Sequence, residues 1–179
     1  FRWIRSPSRS TSCLQVFREH LPEIEAISVW VKLAEAPLGP TNPQPKALAL
    51  TDPCTARHDR ETRGAVRALL AAMGQELAPL AMSGELTECC GFGGLMESAD
   101  PDLARKVAAA RTCQSDSDFL TYCAMCRDQL AKTGKGVVHL LDLLLPDCAH
   151  GAEEPPASIS ARRNGRRQLR NEVLARYGQ

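Results

Sequence analysis

The sequence has few aromatic residues, 4% of its 179 positions, so its core must be built from Ala, Leu and Val. With 44% hydrophobic residues it is long enough for one full core, and a single domain with extensions is expected. Arg2, Arg5 and Arg9 are not followed by an apolar leader segment, and no apolar run reaches bilayer length. A membrane span within these residues is thereby excluded, and a cytoplasmic setting is the default expectation. Charge of one sign is also missing: the net charge is +1, and the basic excess sits in residues 153–179, where six Arg face three acids. The body is slightly acidic, which leaves no electrostatic basis for a nucleic-acid partner. No flavin or nicotinamide fingerprint is present, so such cofactors would belong to other sequence or another subunit.

Cysteine, by contrast, is abundant, with eight in the chain. In a reducing compartment clustered cysteines serve as metal ligands or redox centres more often than as disulfide staples. The densest stretch is Glu88-Cys89-Cys90-Gly91-Phe92-Gly93-Gly94-Leu95. Adjacent cysteines bridge each other only with strain, and glycines at this density bring backbone close to something bound.

Around that stretch the chain alternates strand and helix. Leu14, Phe17 and Leu21 mark a helical face ended by Pro22, and residues 24–29 read as a short strand, whereas residues 1–12 have no periodicity and read as disordered or as a severed end. Residues 37–45, with four prolines, form a linker. Lys46 to Leu50 is a strand that runs into Cys54. Asp59 caps a helix ending at Gly74, and a strand is expected over 77–82. Asp100 and Pro101 open another helix, Asp118 to Tyr122 forms a third strand that delivers Cys123 and Cys126, and Val137-Val138 forms a fourth, with a helix from His139. The predicted class is α/β: a small parallel sheet with flanking helices and the cysteine-bearing loops at the C-terminal ends of its strands, where ligands collect in such sheets. Residues 151–157 form a second linker. The tail beyond it, with Leu169, Val173 and Leu174 among arginines, reads as a basic helix that docks back on the body.

Five thiols thus come from three loops: Cys54, then Cys89 and Cys90, then Cys123 and Cys126. Cys-x-x-Cys aims two sulfurs at one ion because the second falls at a helix N-terminus, where free N–H groups favour thiolates, and Arg127 adds positive charge. Gly91, Gly93 and Gly94 would let backbone N–H groups approach cluster sulfides. Zinc needs only four of these thiols, whereas five suit an iron–sulfur cluster better.

Asp52-Pro53-Cys54, Cys89-Cys90-Gly91-Phe92-Gly93-Gly94 and Tyr122-Cys123-Ala124-Met125-Cys126 together resemble the CCG cysteine-rich domain of the heterodisulfide reductases and their relatives. The flanks are most similar to the C-terminal part of pyridine nucleotide-disulfide oxidoreductases of the dicluster-binding type. The resemblance implies a noncubane [4Fe-4S] cluster held by Cys54, Cys89, Cys90, Cys123 and Cys126, with zinc in some relatives. It also implies electron transfer or cleavage of a disulfide substrate, with flavin or ferredoxin-type redox subunits as partners. The module is expected over residues 46–150, with 151–179 as linker and tail. Members usually carry it twice, and an echo of Cys126 and its following elements at Cys13 marks residues 1–36 as the expected remnant of a preceding module, with Ser10 where a cysteine would stand. Cys113 and Cys148 read as ordinary thiols. His58 reads as a sulfur or substrate partner or as an exposed helix-start residue, His139 as a cap or core hydrogen-bonding group, and Tyr122 and Met125 as packing.

Overall fold

The computed structural model describes residues 6–8, 11–146 and 157–178. Its centre is a four-stranded, all-parallel sheet in the order β4-β3-β5-β6, made of β3 (Leu48–Leu50), β4 (Leu77–Ala78), β5 (Phe119–Thr121) and β6 (Val137–His139). Alternation along these strands sends Leu48, Leu50, Leu120 and Val138 into one core and Ala49, Phe119 and Val137 into another. A parallel sheet covered on both faces has this continuous apolar run in its strands. Helix α3 (Arg60–Ala72) supplies Val66, Leu69 and Leu70 to the first core, and α5 (Pro101–Thr112) and α6 (Ala124–Ala131) supply Ala108 and Leu130 to the second.

The helix ends follow local chemistry. The Asp59 carboxylate accepts from Thr62 N at 3.0 Å and that of Asp100 from Leu103 N at 2.9 Å, with Pro101 in the first turn of α5. Gly74 follows α3 in the left-handed region, φ +72°. His139 caps α7 (Leu140–Leu144): its Nδ1 accepts from Leu141 N, and the Asp142 carboxylate accepts from the His139 backbone N–H at 3.0 Å.

Ahead of the sheet, β1 (Ser6–Ser8) pairs in parallel with β2 (Ala26–Ser28) across α1 (Thr11–His20), and α2 (Val29–Glu35) follows. The order repeats that of β5, α6, β6 and α7, and Cys13 and Cys126 are each the third residue of their helix. Of the two readings of residues 1–12, disorder is thereby corrected where the chain is described, since Ser6–Ser8 pair by backbone bonds that need no side-chain period. Trp30 of α2 is buried, with its ring edge-on to Tyr122 at 5.9 Å and 74° and tilted towards His139 at 6.2 Å. The expected strand over 77–82 shrinks to Leu77–Ala78, because Pro79 has no N–H to continue the ladder.

The short α4 (Met96–Ala99) links the cysteine-rich loop to α5, and α8 (Ile159–Tyr177) ends the described chain. The tail is helical as expected, yet it does not bury a face against the body. All residues of α8 are exposed, and an Arg162–Asp128 ion pair of 2.5 Å ties it to α6. Cys148 and nearly all of the expected linker at 151–157 lie outside the described residues.

Candidate metal centre

The three cysteine loops emerge at the C-terminal edge of the sheet. Cys54 opens a 3₁₀ turn (Cys54–Ala56) four residues after β3, Cys89 and Cys90 follow a second such turn (Gly84–Leu86), and Cys123 is the N-cap of α6 with Cys126 in its first turn. Cys90 and Cys126 are buried and belong to the second core, whereas Cys54, Cys89 and Cys123 are half-buried.

Thiol-to-thiol contacts join all five in a string: Cys54 to Cys89, Cys89 to Cys90, Cys90 to Cys126, and Cys126 to Cys123. Their acidities alternate accordingly. The thiol donors of Cys54 and Cys90 hold Cys89 far below an ordinary thiol, and contact with Cys126 lowers Cys123 to about 6. The partners shift in the opposite direction: Cys54 is raised by its contact with Cys89 and by burial, and Cys126 by Cys123 and Cys90. For Cys90 the contact with Cys126 lowers the pKa, but Cys89 and burial outweigh it. Backbone N–H groups also face the sulfurs, Gly91 N lying 3.3 Å from Cys89 Sγ, with further amides from Gly93 to Cys89, Phe92 to Cys90, and Met125 and Cys126 to Cys123. These are the N–H contacts that stabilise thiolates and tune metal–thiolate centres.

Gly91 makes this loop possible. Its φ is +88°, and a Cβ there would meet the Ala104 carbonyl oxygen at 2.6 Å, so the chain passes directly against α5. Gly94 and Leu95 both continue in the left-handed region at φ +63° and +62°, turning the loop into α4. Glu97 of α4 then accepts from Gln129 at 2.7 Å and Lys132 at 2.5 Å, tying the loop to α6.

Beneath the thiols lies a hub that sequence reasoning did not assign. The Asp52 side chain is fully buried and receives Arg67 in two parallel bonds of 3.0 and 2.8 Å, Gly84 N at 2.8 Å and Tyr122 OH at 2.9 Å. Its carbonyl accepts from Thr87 at 2.7 Å. Burial would raise its pKa, but the Arg67 contact and the other donors overcome that and hold the carboxyl below its usual range. One carboxylate thus fastens the loop before Cys54, the loop before Cys89 and the residue before Cys123. The Tyr122 hydroxyl is raised by burial and by Asp52, and serves as a neutral donor.

Residues 48–131 match the family model of the CCG cysteine-rich domain. This segment belongs to that family. All five predicted cysteines lie inside the matched CCG segment, and the match is consistent with a metal-binding or redox module. No curated protein and no solved structure matches the chain.

The donor set of the CCG domain suits a thiophilic metal, with five thiols, amides directed at sulfur and no carboxylate or imidazole in the string. As the thiols stand, no group of three or more His, Cys, Asp or Glu side chains among the described residues is arranged to hold an ion. Among the other residues singled out, His58 is exposed, Met125 is partly exposed beside Cys126, and Cys113 caps the end of α5 in the open. The sign of Asp52's role was the Asp-Pro-Cys triplet itself, a carboxylate two residues ahead of a ligand.

Proposed function

We propose that this CCG domain is an iron–sulfur redox module, working in electron transfer or thiol–disulfide oxidoreduction beside flavin or ferredoxin-type redox subunits in the cytoplasm. The supporting observation is the unbroken string of five thiols from three loops. Four thiolates complete a zinc site, so a fifth in the same string is surplus to zinc and useful to a cluster. Cys54, Cys89, Cys90, Cys123 and Cys126 would hold a [4Fe-4S] cluster, which supplies reversible one-electron chemistry when bound. The protein's part is to release the protons of Cys54, Cys90 and Cys126, present amides to the sulfurs and keep the Cys90–Cys126 side dry. A disulfide substrate would approach from the half-exposed side of Cys54, Cys89 and Cys123. The repeated strand–helix order and the matching places of Cys13 and Cys126 support reading residues 1–36 as the remnant of a preceding module.

A zinc-stabilised interaction domain without redox activity is the second reading. It is favoured by the ligand number, since any four of these thiols complete a tetrahedral zinc site. Anaerobic purification decides between the two. Broad visible absorption with iron and acid-labile sulfide supports the cluster, whereas a colourless protein with stoichiometric zinc refutes it.

A further inference from the structure

Arg111, at the end of α5, is 1% exposed. Its Nε and Nη2 donate to Thr51 Oγ1 at 3.2 and 2.9 Å, and its Nη1 donates to Gln114 Oε1. None of these acceptors is charged. Arg67, more than a third exposed, sits in a two-pronged pair with Asp52, yet the more deeply buried guanidinium has no carboxylate in contact among the described residues. A permanent charge held in the interior without an ion pair is strongly unfavourable unless an anion lies close by.

The surroundings of Arg111 lead to the thiols. Thr51 is three residues before Cys54. Gln114 passes a hydrogen bond on to Glu88, the neighbour of Cys89. Ala108, one turn earlier on α5, packs in the same core as Cys90 and Cys126. Burial lowers the Arg111 pKa, and the groups that counter this are Glu88 first, then Asp52 and the Cys126 sulfur, which becomes an anion only when its raised thiol loses its proton. Of these, Glu88 is joined to Arg111 only through Gln114, and Asp52 is already saturated by Arg67, Gly84 and Tyr122.

We propose that Arg111 is the built-in counter-charge of the thiolate centre, a buried cation that joins α5 to the loop before Cys54 and whose charge raises both the affinity for bound metal and the reduction potential of the centre. The inference rests on the reading that these thiolates ligate a metal; its affinity part holds for either metal and its potential part for the cluster alone. A unit charge inside a low-dielectric site changes such an equilibrium by about tenfold or more.

The test uses the full chain with Arg111→Met, Arg111→Lys and Thr51→Val. In the anaerobic holoprotein, Arg111→Met is expected to lower the midpoint potential by about 59 mV or more, a tenfold change for a one-electron couple. Arg111→Lys and Thr51→Val, which keep the charge, are expected to stay near wild type. In the reduced, chelator-treated protein, zinc competition is expected to give at least tenfold weaker binding for Arg111→Met. The melting temperature of that metal-free form should hold or rise, because an uncompensated buried cation has been removed. A purely structural arginine gives the opposite result: Arg111→Met destabilises the metal-free form and leaves potential and affinity unchanged, or Thr51→Val shifts them as far as Arg111→Met does. Either outcome overturns the proposal. If wild type takes zinc and no iron, the iron–sulfur reading fails while the affinity arm still decides the role of Arg111. If it takes neither, both fall.

Discussion

Replacing Asp52 by Asn tests whether one carboxylate positions the cysteine loops. The amide keeps shape and volume but has one acceptor oxygen where the carboxylate has two, and all four side-chain bonds come from donors. The least costly flip turns the amide nitrogen towards Tyr122, whose hydroxyl can rotate to accept. Even so, an Arg67 N–H is left facing an N–H, and the charge pairing is lost. Breaking a buried ion pair from one side costs about 3–5 kcal/mol, but Arg67 is 37% exposed and recovers part of this through water, so about 2–4 kcal/mol is expected. At about 2–4 °C per kcal/mol for a chain of this size, the melting temperature should drop by roughly 5–15 °C.

The pH dependence carries a second signature. The folded pKa of Asp52 lies below its unfolded value, so its contribution is present above about 3.9 and is lost as pH falls through the folded value. Wild type and Asp52→Asn should therefore differ at neutral pH and converge in acid when unfolding is followed by circular dichroism. Metal content per folded chain should fall as well, because the supports before Cys54, Cys89 and Cys123 loosen together. An Asp52→Asn protein that melts with wild type at pH 7 and keeps its metal would refute the hub.

Gly91→Ala adds a Cβ 2.6 Å from the Ala104 carbonyl at φ +88°, and should cost about 2 kcal/mol or more and strip metal, read by thermal melting and metal analysis. Cys89→Ser should lose metal with little loss of stability, whereas Cys90→Ser, which buries a hydroxyl in the second core, should lose metal and about 1–3 kcal/mol; a zinc site content with four ligands would tolerate one of the two changes. Burial lowers the His139 pKa against the pull of Asp142, so the unfolded chain takes up a proton near about pH 6.5 that the folded chain refuses, and stability should fall on acidification below that point. His139→Asn, which keeps a cap for α7, should flatten that slope in denaturant melts between pH 5 and 7.

Features set by neighbours in sequence were legible in it. Asp59, Asp100 with Pro101, and Gly74 bound their helices as read, and apolar runs placed all four strands of the main sheet. Helix α2 was missed because Ile27, Val29 and Val31 favour strand locally, and burial of Trp30 against Tyr122 overrides that preference. The Asp52 hub was hidden for a different reason: its partners lie 15, 32, 35 and 70 residues away, and no local pattern joins them. The same holds for Arg111 and Thr51, 60 residues apart.

The two buried charges at this edge of the sheet divide one task. Asp52 is saturated by donors and fixes where the loops stand, so its charge is neutralised locally and adds little field at the thiols. Arg111 is bonded only to neutral oxygens, so its charge remains available to them. Were the arrangement purely structural, pairing these two opposite charges with each other would relieve both burials at once. Instead the carboxylate is bound by Arg67, which is nearer to water, and the deeper cation is held by Thr51 on the loop that leads to Cys54. That separation makes sense for a domain whose negative charge arrives when its thiols lose their protons.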